Sequence, residues 1–215
     1  MPKTSAAAKE ARQEQILNAA VRCFARKGYY ATTVEDLVAE TGLSRGALYL
    51  YFPSKEALYV ALSDRWTCGL EEAVQRRVTA HMSPGQALQL VIEVTGDHVE
   101  ADPEACRVLM EGWTLGHVLP ALGEQVQRQQ VQARRVFEQL LKAGVASEEF
   151  RADLDSALHA QLLLATVQGL MVEWHLSPGS IDWHQVAHEL LQSLRVARPQ
   201  WLQRNVGAKG ERIGR

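Results

Sequence analysis

Residues 32–55 read TTVEDLVAETGLSRGALYLYFPSK, and this stretch decides the fold of the N-terminal part of the chain. Thr32 and Glu35 have the spacing of a capping box, in which a hydroxyl and a carboxylate satisfy free amides at a helix start. Gly42 can adopt the backbone conformation of a turn, and Ser44 is a good N-cap for another helix. The stretch therefore predicts two short helices joined by a tight turn.

The second of these helices has two distinct faces. Leu48 and Phe52 are four residues apart, share one side of the helix and are predicted to face a core. Arg45 and Tyr49 have the same spacing and lie on another face. Pro53 ends the helix, because the residue before a proline resists the α conformation. The Arg45 and Tyr49 face is therefore free to meet a binding partner.

A helix-turn-helix of this kind places its second helix in the major groove of DNA. Arg45 can donate two hydrogen bonds to a guanine edge, and Tyr49 can reach a base edge, a thymine methyl group or a phosphate. Lys55 is a phosphate candidate at a helix N-terminus, whose dipole favours anions. Short helix-turn-helix patterns also occur in many all-α proteins, so the pattern alone leaves a role without DNA open. The predicted DNA-binding residues are Thr33, Ser44, Arg45, Gly46, Ala47, Tyr49, Tyr51 and Lys55.

Residues 13–62 closely resemble the N-terminal domain of the TetR family of bacterial one-component repressors. The resemblance rests on the glycine-ended first helix and above all on LSRGALYLYFPSKEALYVAL, in which Leu50 replaces a commoner aromatic residue. It implies an all-α homodimer that binds a palindromic operator and releases it when a small molecule binds the C-terminal domain. It also implies that the last two long helices of each subunit form the dimer interface.

The composition is that of a soluble globular protein. Of 215 residues, 47% are hydrophobic and 22% are charged, and no apolar run approaches the ~20 residues of a membrane span. The N-terminus has no apolar signal segment, so we expect a cytoplasmic protein without membrane association. Three widely spaced cysteines suit neither a disulfide framework nor a metal or redox motif. Residues 1–65 carry nine Lys and Arg against seven Asp and Glu, a small basic surplus in a chain of net charge −2.

The rest of the chain has helical periodicity without strand-like alternation. We expect an all-α protein of about nine helices, in which a long fourth helix, Ser54 to about Val78, joins a three-helix DNA-binding domain to a C-terminal helical domain. The first helix is predicted to start near Lys9. Residues Gly116–Gly123 are predicted to be less regular. They precede a helix that is predicted to end at Gly144. The predicted divisions are a flexible arm at 1–9, the helix-turn-helix domain at 10–57, a ligand-binding and dimerisation domain at 58–198 and a basic flexible tail at 199–215.

Two groups of residues in the C-terminal half have predicted binding roles. Large adaptable apolar groups beside a few polar ones are typical of a small-molecule site, although any one Trp or Met can equally fill the core. We expect an apolar effector, such as a lipid-like acyl compound or a lipophilic drug, with Glu111 and Glu173 as counter-charges if it is a cation. The predicted pocket residues are Leu109, Met110, Trp113, His117, Gln168, Met171 and Trp174, with Leu115, Leu119 and His175 nearby. The predicted dimer interface comprises Leu158, Gln161, Leu162, Ala165, Val186, Leu190 and Leu194.

Other functions have weaker support. His184 and His188 have a spacing that can hold zinc, but no third ligand is apparent, and we predict no metal or other cofactor. No phosphate-binding, dinucleotide-binding or nucleophilic serine motif occurs, so the sequence does not favour an enzyme. It predicts a ligand-responsive regulator of transcription, most simply a repressor. The alternative is a helical ligand-binding or scaffold protein of the same fold that does not bind DNA.

Overall fold

The computed structural model describes residues 6–195, which form helices joined by short connections. It confirms the predicted all-α class, because this part of the chain contains nine α-helices and no strand. None of the helices in this range is both long and apolar enough to span a membrane. The helices are α1 (Ala6–Ala31), α2 (Val34–Thr41), α3 (Arg45–Tyr51), α4 (Lys55–Arg77), α5 (Pro84–Ala101), α6 (Pro103–Leu115), α7 (Pro120–Ala146), α8 (Ser156–Leu176) and α9 (Trp183–Arg195).

The start of α2 differs from the sequence prediction by one residue. Thr33 is the N-cap: its hydroxyl accepts from the Asp36 amide at 3.1 Å, and the Asp36 carboxylate accepts from the Thr33 amide at 3.0 Å. The predicted capping box of Thr32 and Glu35 was therefore wrong. Thr32 is buried instead, and its hydroxyl donates to the Gly28 carbonyl at 2.7 Å. Each threonine precedes a carboxylate by three residues, so the local pattern fitted both registers equally well.

The other signals around α3 act as the sequence indicated. Gly42 has a φ of 67°, which makes the tight turn after α2. The Ser44 hydroxyl accepts from the Ala47 amide at 3.2 Å, and the Ser54 hydroxyl caps α4. Gly28 interrupts α1 with a φ of 74°, after which the helix resumes and ends at Ala31. Local capping and turn chemistry thus fix the geometry of the helix-turn-helix.

One hydrophobic core joins the two parts of the chain. Leu37 and Leu48, which are 1% and 3% exposed, attach α2 and α3 to the core. In the C-terminal domain α5 packs against α9 and α7 packs along α8, while α4 contacts both α6 and α7. Buried residues of these helices belong to one cluster. The N-terminal helices and the C-terminal helices are therefore packed together as one body.

Two helix boundaries in the C-terminal domain differ from the prediction. Gly144 does not end α7, which continues to Ala146; the glycine instead leaves room for the Phe150 ring where a Cβ atom would lie. Pro120 begins α7 inside the stretch that we predicted to be irregular, because proline is well suited to a first helical position. Residues 6–9, which the sequence assigned to a flexible arm, are part of α1. The rest of that arm and the predicted tail at 199–215 lie outside the described residues.

Candidate DNA interface and ligand cavity

The solvent side of α3 carries the predicted recognition residues. The Arg45 side chain is 63% exposed and Tyr49 is 38% exposed, whereas Leu48 is buried. Nothing lies within 4 Å of the place that a Cβ atom of Gly46 would occupy, so a partner can approach the backbone closely. Leu50 is 84% exposed and was missed as a candidate contact. An apolar side chain at such a place can contact a thymine methyl group.

Two neighbours orient Arg45. Its guanidinium donates to the Glu35 carboxylate of α2 at 3.1 Å, and its Cζ atom lies 5.9 Å from the centroid of the Tyr49 ring. Both ends of the ion pair are exposed, so the pair is weak. Glu35 therefore holds the Arg45 guanidinium only weakly on the solvent side of α3.

Four other predicted DNA-binding residues, Thr33, Ser44, Ala47 and Tyr51, differ in how exposed their side chains are. Thr33 and Ser44 use a hydroxyl oxygen to accept an N-cap bond, and each O–H proton remains available to donate to a phosphate. Tyr51 is half-buried against the core, and Ala47 is half-buried on the same helix. Their roles in DNA binding stay predictions.

Lys55 has an internal role that the sequence did not reveal. Its ammonium donates to the carbonyls of Tyr29 and Thr32 at 2.8 and 3.0 Å, and it lies 4.3 Å from the centroid of the Tyr29 ring. Burial lowers the pKa of Lys55. An ammonium has three N–H donors, so at most one remains for the phosphate contact that we predicted.

A carboxylate from the C-terminal domain reaches the same corner. Glu111 on α6 accepts from the Tyr29 amide at 2.9 Å and lies 3.2 Å from the Tyr59 hydroxyl of α4, whose single proton is shared with the Val108 carbonyl at 2.6 Å. Burial raises the pKa of Tyr59, so the hydroxyl keeps its proton. The backbone of Tyr29 is thus held at its N–H by Glu111 of α6 and at its carbonyl by Lys55 of α4. We call these four residues, Tyr29, Lys55, Tyr59 and Glu111, the junction.

Ion pairs brace α1 against α2. Arg22 and Arg26 both bind the Glu40 carboxylate at 2.7 Å, and the Lys27 ammonium binds Asp36 at 2.7 Å. The hydrogen bond from Lys27, together with those from the N-cap threonine, lowers the pKa of Asp36 to about 2. These contacts position the helix that supports α3.

A cavity of about 310 Å³ lies in the C-terminal domain between α4, α5, α6, α7 and α8. Its wall is mostly aliphatic and aromatic, with Trp66 and Leu70 from α4 and Phe137 from α7. Its few polar atoms are mainly amides and hydroxyls. The side-chain Nε2 of Gln168 donates to the side-chain Oε1 of Gln130 at 2.9 Å, and this bond links α8 to α7 across the wall.

Four of the seven predicted pocket residues line this cavity: Leu109, Trp113, Gln168 and Met171. Met110 and Trp174 pack into the core instead, and His117 is exposed beyond α6. Leu115, Leu119 and His175 do not line the cavity either. Sequence reasoning missed the walls from α4, α5 and α7. An apolar residue that faces a cavity has the same helical spacing as one that faces the core, so the sequence contained no signal for them.

An apolar face of α8 is uncovered. Leu158 and Leu162 are 51% and 52% exposed, and Leu176 is 77% exposed. The exposed positions recur every three or four residues, as one face of a helix requires. We call this face the α8 stripe; it consists of Leu158, Leu162, Ala165, Gly169, Val172 and Leu176.

The other predicted interface residues have different positions. Gln161 is exposed on α8 beside the stripe. On α9, Leu194 is only 2% exposed and belongs to the core, so it is not available to a partner. Val186 and Leu190 are half-buried against the same core, because α9 packs on α5.

The possible zinc pair has another use. The Nδ1 atom of His184 lies 2.6 Å from the Glu93 carboxylate, and His188 is exposed. Among residues 6–195 no group of three or more His, Cys, Asp or Glu side chains is placed to hold a metal ion.

Comparison with known proteins gives matches over most of the chain. Residues 16–62 match the family described as bacterial regulatory proteins, tetR family, and residues 84–196 match the BetI-type transcriptional repressor, C-terminal family. The HTH-type transcriptional regulator AcrR of Shigella flexneri is 28% identical over 201 residues, which cover 89% of this chain and 91% of that protein.

Solved structures have the same fold. The TetR family regulator PfmR of Thermus thermophilus is 26% identical, with a TM-score of 0.70 over 85% of this chain and 99% of that one. FadR of Bacillus subtilis in complex with stearoyl-CoA is 20% identical, with a TM-score of 0.71 over 86% of this chain and 99% of that one. The chain belongs to the TetR family of bacterial regulatory proteins, as its residues 13–62 predicted. Its relatives are helix-turn-helix regulators of transcription.

Proposed function

We propose that the protein is a repressor that binds an inverted-repeat operator as a homodimer and leaves it when a mostly apolar small molecule enters the cavity. The observation that carries this proposal is the chain of contacts from cavity to DNA face. Leu109 and Trp113 of α6 line the cavity, and Glu111 between them holds the Tyr29 peptide of the DNA-binding unit. A ligand that displaces α6 therefore pulls on the support of α3.

The α8 stripe supports the dimer. Half-exposed leucines repeated along one face of a helix gain free energy when a second copy covers them. The same face of two copies can meet in a two-fold arrangement. In such a dimer the two α3 helices enter successive major grooves about 34 Å apart.

The junction supplies the switch. A ligand changes operator occupancy only through a difference in its affinity for the bound and released conformations. A coupling of about 1–3 kcal/mol, or 5-fold to 150-fold, is typical. We assign this coupling to α6, because it borders the cavity and carries Glu111.

The DNA-binding part is tested by selecting fragments from genomic DNA with the full-length protein and measuring affinity for the selected fragment by fluorescence anisotropy. Replacing Arg45 and Tyr49 together by alanine should weaken binding about 100-fold, since each good base contact contributes about 1–3 kcal/mol. Arg134→Ala, an exposed cation on α7, is the control and should change little. Unchanged binding by the double variant would favour the alternative of a helical protein without DNA function.

The dimer is tested separately by light scattering coupled to size-exclusion chromatography. Leu158→Glu combined with Leu162→Glu should give a folded monomer, because both side chains are half-exposed in the isolated chain. Val131→Glu on α7 is the control, and should remain dimeric. A monomeric wild-type protein at micromolar concentration would contradict the proposal.

A further inference from the structure

The ionisable groups around the cavity are unevenly distributed. Among its lining residues Glu71 is the one with an ionisable side chain, and no Lys, Arg or His faces the space. Glu71 is exposed, so it lies where the cavity meets solvent. The interior of the wall therefore has no positive charge to pair with a bound anion.

Nearby cations lie outside the cavity. Arg128 and Arg135 are on the exposed side of α7, and each is one residue from a cavity-lining position. Arg128 is already paired with Glu124 at 3.7 Å. Neither guanidinium lines the wall, so the head group of an anion would have to stay outside in water to reach one.

The polar atoms that do face the cavity suit an uncharged group. The side-chain bond between Gln168 and Gln130 uses one N–H of Gln168 and the oxygen of Gln130, so it does not use the Gln130 amide nitrogen or the Gln168 amide oxygen. Trp66, which is 8% exposed, also has a buried indole N–H without a partner in the described structure. A buried donor of this kind favours a ligand acceptor, because an unmade hydrogen bond is costly.

Charged head groups fit this wall poorly for two different reasons. A carboxylate or phosphate would lose its water without gaining a cation and would meet the negative Glu71. An ammonium would meet only Glu71, whose exposure lets water screen the attraction. An uncharged alcohol, amide or ester avoids both costs and can use the amides of Gln130 and Gln168.

We propose that the effector is an apolar molecule with an uncharged, hydrogen-bonding polar group, and that fatty-acid anions are not its effectors. This inference rests on the proposed function, since it assumes that the cavity is the effector site.

The test uses three probes of equal chain length that differ only in head group: decanamide, decanoate and decylammonium. Binding to the full-length protein at pH 7 is measured by calorimetry and by quenching of tryptophan fluorescence, since Trp66 and Trp113 line the cavity. Decanamide should bind about tenfold more tightly than either charged probe, and it alone should release the operator at matched concentration.

Glu71→Gln tests the source of the discrimination. It should narrow the difference in affinity between decanamide and decanoate only slightly, because water screens the exposed carboxylate, and it should leave decanamide binding unchanged. The matched control is Glu72→Gln, because Glu72 is exposed on the same helix, pairs with Arg76 and does not line the cavity.

The outcomes separate this inference from the proposed function. If decanoate binds most tightly, the inference is overturned. It is also overturned if decylammonium binds most tightly and the Glu71→Gln variant loses that binding. In both cases the cavity remains the effector site. If decanoate binds to the wild-type protein but not to an Arg135→Gln variant, its head group lies outside the cavity beside Arg135. This result would also overturn the inference. Failure of all three probes to bind or to release the operator would overturn both the inference and the assignment of the cavity.

Discussion

The DNA-binding unit and the ligand cavity are built in opposite ways. Every predicted DNA contact comes from the single stretch 33–55, whereas the cavity takes residues from five helices between Trp66 and Met171. In the first region neighbouring residues set the geometry through caps, a turn glycine and helical spacing. In the second region the geometry depends on how distant helices pack. Such a protein can keep the geometry of its helix-turn-helix while its cavity changes, because neighbouring residues within one stretch set that geometry.

The largest expected effect compares the same substitution at a packed glycine of the C-terminal domain and at an open glycine of the DNA-binding unit. Gly144→Leu should lower the free energy of unfolding by about 3 kcal/mol, because the Phe150 ring occupies the space next to the glycine. Gly46→Leu should leave stability nearly unchanged, since nothing lies within 4 Å of its Cβ position, yet should abolish operator binding. Urea unfolding and fluorescence anisotropy measure the two effects. Equal stability losses would contradict the contrast between a packed and an open glycine.

The next effect concerns the contact between the regions. Glu111→Gln should cost about 1.5 kcal/mol, because the Tyr29 amide then donates to a neutral oxygen in place of a carboxylate, and hydrogen bonds to charged groups are stronger. Hydrogen exchange should become faster at the Tyr29 amide, and ligand should release the operator less effectively. Glu104→Gln, on an exposed part of α6, is the matched control. Normal release by the Glu111 variant would remove the junction from the switch.

A smaller effect tests the capping register of α2. Thr33→Ala should lower the free energy of unfolding by about 1 kcal/mol, the usual value of an N-cap. Thr33→Ser keeps the hydroxyl and should recover most of the loss. If Thr33→Ala left the free energy of unfolding unchanged, Thr33 would not be the N-cap of α2. The register first predicted from the sequence, with Thr32 as N-cap, would then be favoured.

The smallest effect concerns the carboxylate that competes with DNA. Glu35→Gln should tighten operator binding about threefold, because it removes a weak ion pair with Arg45 and a negative charge beside the DNA face. Glu40→Gln provides a comparison, since that carboxylate is held by Arg22 and Arg26 on α1. Anisotropy at several salt concentrations should show the gain shrinking as salt rises. Weaker binding by Glu35→Gln would mean that positioning of Arg45 outweighs the competition.

The sequence predicted the helices better than it predicted their contacts. The break at Gly28, the turn at Gly42 and the caps at Ser44 and Ser54 all follow from residue chemistry within a few positions. The errors arose where a partner distant in sequence decides the role. Phe150 keeps Gly144 inside a helix, although a glycine there otherwise indicates a helix end.

The same limit applies to the binding sites. The sequence pattern indicates that Lys55 is a free cation at a helix start, but its ammonium donates to the carbonyl of Tyr29 at the end of α1 and to that of Thr32 just before α2. Leu109 and Met110 are adjacent apolar residues of one helix, yet only Leu109 faces the cavity. Which of them does so depends on where α6 lies against α4 and α7.

By itself the sequence determined the all-α class, the helix-turn-helix and the family, because these depend on periodicity, caps and turns that act between close neighbours. Tertiary structure decided the cavity wall, its lack of positive charge, the uncovered α8 stripe and the Glu111 contact with Tyr29. The physical reason is that each of these requires atoms far apart in the chain to meet. Helical periodicity tells only that a face is apolar, while packing decides whether that face meets core, cavity or a second copy.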